Sequence, residues 1–163
     1  KGGSQAKSWQ STLEHVSNNN FSDDQIIYFL EDDYLHRESW NKILLEGFDL
    51  NVDYISLYDH LDKYKLPLYQ KLQSKILISK SCHWRTVPST TLSFAVKFKT
   101  FKKHFDIYKK FNFIDSGKTK DHEMFLDLWK KGSSLITPIP GYSSHMDLHW
   151  LSPTISWEEI LKN

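Results

Sequence analysis

Residues 26–33 read Ile26-Ile27-Tyr28-Phe29-Leu30-Glu31-Asp32-Asp33, five apolar or aromatic side chains followed without a break by three carboxylates. The apolar run is too short for a helix and rich in β-forming residues, which predicts a strand buried on both faces. Such strands belong to sheets covered by helices. In open α/β sheets, ligands bind in the crevice outside the carboxyl ends of the strands, where this acidic triplet stands.

The flanking sequence supplies the helices. Ala6, Trp9, Leu13 and Val16 recur at helical spacing, predicting a helix over Ser4–Val16 behind a Gly2-Gly3-Ser4 start. Trp40, Ile43, Leu44 and Phe48 predict a second helix over Glu38–Gly47, and Asp53–Tyr58 (DYISLY) reads as a second buried strand. Strand, helix and strand in close succession mark an α/β layer fold. Further along, Lys75–Ser79 and Thr91–Phe98 read as strands, Phe101–Phe111 and Asp121–Lys131 as helices, and Leu135–Thr137 as a short strand. Gly132 supplies a helix stop, and the tail from Gly141 reads as loop. The whole chain, residues 1–163, is expected to form one mixed α/β domain.

Composition narrows the function. Twenty-one Lys and Arg against twenty Asp and Glu argue against a nucleic-acid-binding or polybasic membrane protein, which would carry a clear excess of one sign. One cysteine, Cys82, rules out an internal disulfide framework. No apolar run approaches the ~18–20 residues that span a bilayer. Together these favour a cytoplasmic chain, with membrane association through segments outside these residues left open. Ten Phe, eight Tyr and six Trp are many for this length. Most rings fill a core, while a few can stack on a sugar or a base.

Three constellations can carry chemistry. Glu31-Asp32-Asp33 repel one another at the end of a strand that holds them in place. Either they bind a divalent cation or they form a solvated turn capping the next helix. Asp121 opens a helix and, at 100° per residue, falls near the direction of Met124, Phe125, Leu128 and Trp129, so it faces the protein. A half-buried carboxylate there is either a general base or an N-terminal cap. His145-Met146-Asp147-Leu148-His149, if extended, sets both histidines and the aspartate on one face as a metal triplet; solvated histidines are the alternative. No nucleophile elbow, Walker A or dinucleotide fingerprint is present.

In order, GGSQAKSW, IIYFLEDDYLH, STTLSFAVK, DHEMFLDLWKKG and a C-terminal histidine resemble the glycosyltransferases of the GT-A fold, most closely the family-2 type. In that family an acidic motif after a central strand binds a divalent metal and the nucleotide-sugar. A later helix supplies the catalytic base of inverting members, with Gly eleven residues after the aspartate, the spacing of Asp121 and Gly132. The resemblance implies a Rossmann-related mixed sheet flanked by helices. It implies Asp33 and His145 (or His149) as ligands of Mn²⁺ or Mg²⁺, Glu31 and Asp32 against the ribose or donor sugar, and Asp121 as the base. Tyr34, Trp84 and Trp150 become candidates to stack on a sugar; His83 and Arg85 are expected at the surface, with phosphate or acceptor contacts as the weaker reading. The implied partners are a nucleotide-sugar donor and a glycan, lipid-linked or protein hydroxyl acceptor. Lys120 and Asp127 depart from the family pattern, which has an acidic residue and an Arg there. Family members place the acidic triplet well inside the domain, so the nucleotide site is expected to be incomplete at its N-terminal side and completed by another segment or chain. A metal-dependent hydrolase and a non-catalytic carbohydrate-binding domain are the rival readings.

Overall fold

The computed structural model describes residues 3–162. Its centre is a six-stranded mixed sheet with helices on both faces. In chain order the elements begin with α1 (Gln5–Ser17), β1 (Ile26–Phe29), β2 (Tyr34–His36), α2 (Trp40–Phe48), β3 (Tyr54–Ile55) and the single turn α3 (Asp62–Lys65). They continue with β4 (Ile76–Ile78), β5 (His83–Thr86), β6 (Phe94–Lys97), α4 (Phe98–Lys110) and the small hairpin β7 (Asn112–Phe113) and β8 (Lys118–Thr119). The chain ends in α5 (Asp121–Lys130), β9 (Leu135–Ile139), β10 (Ser143–His145) and α6 (Trp157–Ile160).

The strand order is β1-β6-β3-β9-β5-β4. β6 runs antiparallel to both β1 and β3, which therefore run parallel to each other, and β3 is parallel to β9. The carboxyl ends of β1, β3 and β9 thus lie at one end of the sheet, together with the chain that enters β6.

Alternation along the strands divides the core in two. Phe29, Tyr54, Phe94, Val96 and Leu135 face α1, α4 and α5, which bring Trp9, Leu13, Phe101, Tyr108, Met124 and Phe125. Ile55, Trp84, Ala95 and Ile136 face α2, which brings Ile43, Leu44 and Phe48. The first layer is dense in rings, with Trp9 and Phe29 centroids 5.0 Å apart and Phe94 and Phe125 5.1 Å apart, both edge to face. The aromatic excess is therefore largely core.

Several expectations need correction. The 26–30 strand is an edge of the sheet: both faces are packed, but Ile26, Ile27 and Tyr28 are only half-buried and Leu30 is exposed. β5 was not legible because Trp84 alone of its residues is buried, leaving little periodic signal over four residues. β9 runs through Pro138, which opposes Trp84 of β5, and ends two residues later than expected. α4 begins at Phe98, three residues early, directly from β6. Trp129, placed on the inner stripe of α5, is 61% exposed. Beyond Gly141 the tail holds β10 and α6. Gly132, at φ +87°, closes α5, with the Gly132 and Ser133 amides donating to Trp129 and Leu128 carbonyls.

Gly47 lets α2 lie close against the sheet. A Cβ there would stand 2.6 Å from Ile55 Cδ1 and 2.8 Å from Trp84 Cη2. Gly47→Ala is expected to destabilise the domain by about 1–3 kcal/mol through overpacking, despite alanine's better helix propensity. Urea unfolding measures this; a stabilised variant would contradict the close packing.

Candidate functional site

The acidic triplet follows the carboxyl end of β1 and is fixed there by its neighbours. The Glu31 amide donates to Ser93 Oγ at 3.1 Å, tying the start of the turn to the chain entering β6. β2 follows at once and pairs antiparallel with β10, opposing Tyr34 to His145. The Met146 amide donates to the Asp33 carbonyl at 2.9 Å, extending that ribbon. This register brings Asp33 Oδ2 within 2.8 Å of His145 Nε2 across 112 positions of sequence.

Asp121 reaches the same place from α5. With Glu31, Tyr34, Tyr58, His60, Asp62 and His145 it lines a cleft of about 370 Å³, to which Leu66 and Trp150 also contribute. A second cleft, about 400 Å³, lies on the other side of Glu31, between Asp32, Asp33, Leu30 and the Trp9, Ser8 and Thr12 side of α1. Gln5 and Glu31 belong to both. Glu31, Asp121 and His145 therefore share the first cleft; Asp33 and the exposed Asp32 line the second, Asp33 reaching the first through its hydrogen bond to His145.

The electrostatics follow from burial. Removal from water pushes the Glu31 carboxyl above its ordinary value, and the charges of Asp33 and Asp121 push it further. The Ser93 hydroxyl and His145 act in the opposite sense. Burial likewise raises Asp121, opposed by the His122 amide that donates to its Oδ1 at 3.0 Å. Asp121 is not the helix cap that its position suggested: Lys120 is the N-cap of α5 and no side chain caps it, while Asp121, the first helical residue, accepts the neighbouring His122 amide and stays half-buried at the cleft wall.

Asp33 and His145, hydrogen-bonded to each other, are the residues that could hold a divalent cation here. Their donor atoms are 2.8 Å apart, where neighbouring ligands of an octahedral ion stand about 3 Å from each other. Among the described residues no group of three or more His, Cys, Asp or Glu is placed to hold a metal. The pair would supply an open site completed by phosphate and water oxygens, the usual habit of Mg²⁺.

His149 takes no part: β10 ends at His145 and the chain turns, leaving His149 exposed with its amide on Asp147 Oδ1. The extended His145–His149 triplet is therefore not formed. Trp84 is wholly buried between the sheet and α2, so it cannot stack on a ligand. His83 is exposed on the outer β4–β5 ribbon. Arg85, expected at the surface, is largely buried in an ion pair of 2.6 Å with Asp59 and lies over the Tyr64 ring. Tyr34 and Trp150 do line the cleft. Tyr34 donates to or accepts from Thr91 Oγ1 at 2.8 Å and packs edge-on against Tyr58, whose hydroxyl donates to the Trp150 carbonyl. Tyr58, His60 and Asp62 were not anticipated. The strand-end rule that singled out the triplet after β1 applies equally to the segment after β3.

Among the described residues no helix is long and apolar enough to cross a membrane. No protein-family model matches the chain, and no curated protein matches its sequence.

Desolvation of Asp121 has a stability consequence. A carboxyl whose folded pKa is raised stabilises the fold below its unfolded pKa and weakens it as pH rises through the folded value. Asp121→Asn is therefore expected to melt at or above the wild-type temperature at neutral pH, with the gap closing as pH falls. A clear loss, toward the ~0.3–1 kcal/mol of a negative charge removed from the first turn of α5, would mark Asp121 as structural only. Thermal unfolding across pH distinguishes the two.

Proposed function

We propose that this chain acts as a GT-A-like glycosyltransferase that moves a sugar from a nucleotide-sugar to a hydroxyl acceptor with inversion. The observation that carries the reading is the meeting of Glu31, Asp33, Asp121 and His145 at one end of the sheet, from segments far apart in sequence. The motif order alone would allow those residues to be scattered.

The two clefts divide the work. Asp32 and the Ser8–Thr12 side of α1 face the cleft that takes the donor nucleotide, with Glu31 at the boundary against the ribose or donor sugar. Asp33 and His145 would hold Mn²⁺ or Mg²⁺ beside the diphosphate. Such an ion, when bound, offsets the charge that develops on the leaving nucleoside diphosphate. Asp121 faces the other cleft, where an acceptor sugar can rest among Tyr34, Tyr58 and Trp150. There its carboxylate accepts the proton of the acceptor hydroxyl as the oxygen attacks the anomeric carbon. Burial suits Asp121 to this role, since a raised pKa makes a carboxylate a stronger base.

Asp121→Asn is expected to lower nucleoside diphosphate release from UDP-, GDP- or dTDP-sugars by about 10²–10⁴-fold in the presence of glycan acceptors, leaving donor affinity nearly unchanged. Near-normal turnover removes Asp121 as the base. Release that needs no acceptor would favour the hydrolase reading. In the wild type, turnover should fall with acid through a pKa above that of a free aspartate, because the base acts ionised and burial raises it. A rate flat down to the ordinary aspartate range contradicts this.

A further inference from the structure

From Lys63 to Arg85 the chain carries six Lys or Arg and no Asp or Glu, leaving 15 Lys and Arg against 20 Asp and Glu in the rest of the protein. Two of the six are satisfied internally: Lys63 is buried against Asp62 at 2.9 Å, and Arg85 against Asp59. Lys65, Lys71, Lys75 and Lys80 are exposed and make no ion pair among the described residues. The nearby acids are occupied: Asp59 is buried, Asp62 is bracketed by Lys63 and His60, and Glu46 accepts from Ser79 and Ser81.

The same stretch exposes its large apolar side chains. Leu68 is 70% exposed, Ile78 66%, Ile76 53% and Tyr64 50%. They form one surface. Arg85 pairs in register with Ile76, and His83 with Ile78, so these four project from one face of the outer ribbon. Tyr64 lies over the Arg85 guanidinium at 4.7 Å, joining that ribbon to the Tyr64–Leu68 segment. Leu66, in the middle of that segment and 38% exposed, also lines the cleft that holds Asp121 and His145. Apolar tips flanked by unpaired lysines are the chemistry that recognises an anionic lipid surface.

We propose that this face, from Leu66 to the β4 edge, docks on an anionic membrane surface. Lysines meet the headgroups while Tyr64, Leu66, Leu68, Ile76 and Ile78 enter the interface. Docked in this way, the Leu66 side of the cleft stands at the lipid boundary, where a lipid-linked hydroxyl acceptor would be presented. That orientation rests on the transferase reading, whereas the docking does not.

The test is co-sedimentation of the chain with phosphatidylcholine vesicles with and without phosphatidylserine. Binding is expected to the anionic vesicles only and to weaken as salt rises. Each lysine near such a surface contributes about five-fold in partitioning, so Lys65→Gln, Lys71→Gln and Lys75→Gln together should cost roughly a hundred-fold. Leu66→Ser with Leu68→Ser should weaken binding while keeping its salt dependence. Lys109→Gln with Lys110→Gln, on the exposed side of α4, should change it little. No binding, equal binding to neutral vesicles, or an equal loss in the α4 variant would overturn the proposal. So would a concentration-dependent dimer that Ile78→Lys disrupts, since a second copy would then cover this face. None of these readouts depends on transfer activity, so either reading can fail alone.

Discussion

Negative charge held in a half-buried cleft is the constraint around which this site is arranged. Glu31, Asp33 and Asp121 converge at one end of the sheet, and Asp62 lines the same space. The only base within hydrogen-bonding reach of Asp33 among the described residues is His145, at 2.8 Å. The consequence is visible in Glu31, which burial and its neighbours' charges together drive toward the protonated form. Side chains tolerate such crowding when a ligand supplies the missing positive charge. The fold keeps the carboxylates together through features with no chemistry of their own: the Ser93 contact, the β2–β10 register, and the helix start that aims Asp121 inward.

The stability of the domain is held elsewhere. The ring-rich layer beneath α1, α4 and α5, and the α2 layer built around Trp84 and Gly47, bury Phe29, Tyr54, Ile55, Trp84, Phe94 and Ile136 of the sheet. That separation lets the cleft keep a desolvated Asp121 and a crowded Glu31 at a local cost. Aromatic residues accordingly serve two ends. Trp9, Phe94 and Phe125 are packing, whereas Tyr34 and Trp150 are half-exposed at the cleft and held by hydrogen bonds or ring contacts.

How much could be read from the sequence depended on the range of the interaction. α1, α2 and α5 were legible because their apolar stripes recur every three or four residues, and the triplet because a buried strand pointed at it. The inward tilt of Asp121 followed from the same helical geometry. What escaped depended on distant pairing. Trp84 carries no local sign of burial, since the strands on either side of it come from residues 76–78 and 135–139. His145 and His149 could not be separated until the β2–β10 register placed one opposite Tyr34 and turned the other outward. Nor did the sequence disclose that Arg85 is committed to Asp59 across 26 positions.

The central claim is that the crowded carboxylates and His145 form a place for a divalent cation and a nucleotide-sugar together. Calorimetric titration of UDP-, GDP- and dTDP-sugars in Mn²⁺, in Mg²⁺ and in chelator, for the wild type and Asp33→Ala, measures that coupling directly. The account predicts that one nucleotide class binds with an affinity that rises at least tenfold with metal, and that Asp33→Ala removes the rise, a coupling of about 1.4 kcal/mol or more. Equal affinity with and without metal, or a metal effect untouched by Asp33→Ala, would contradict it.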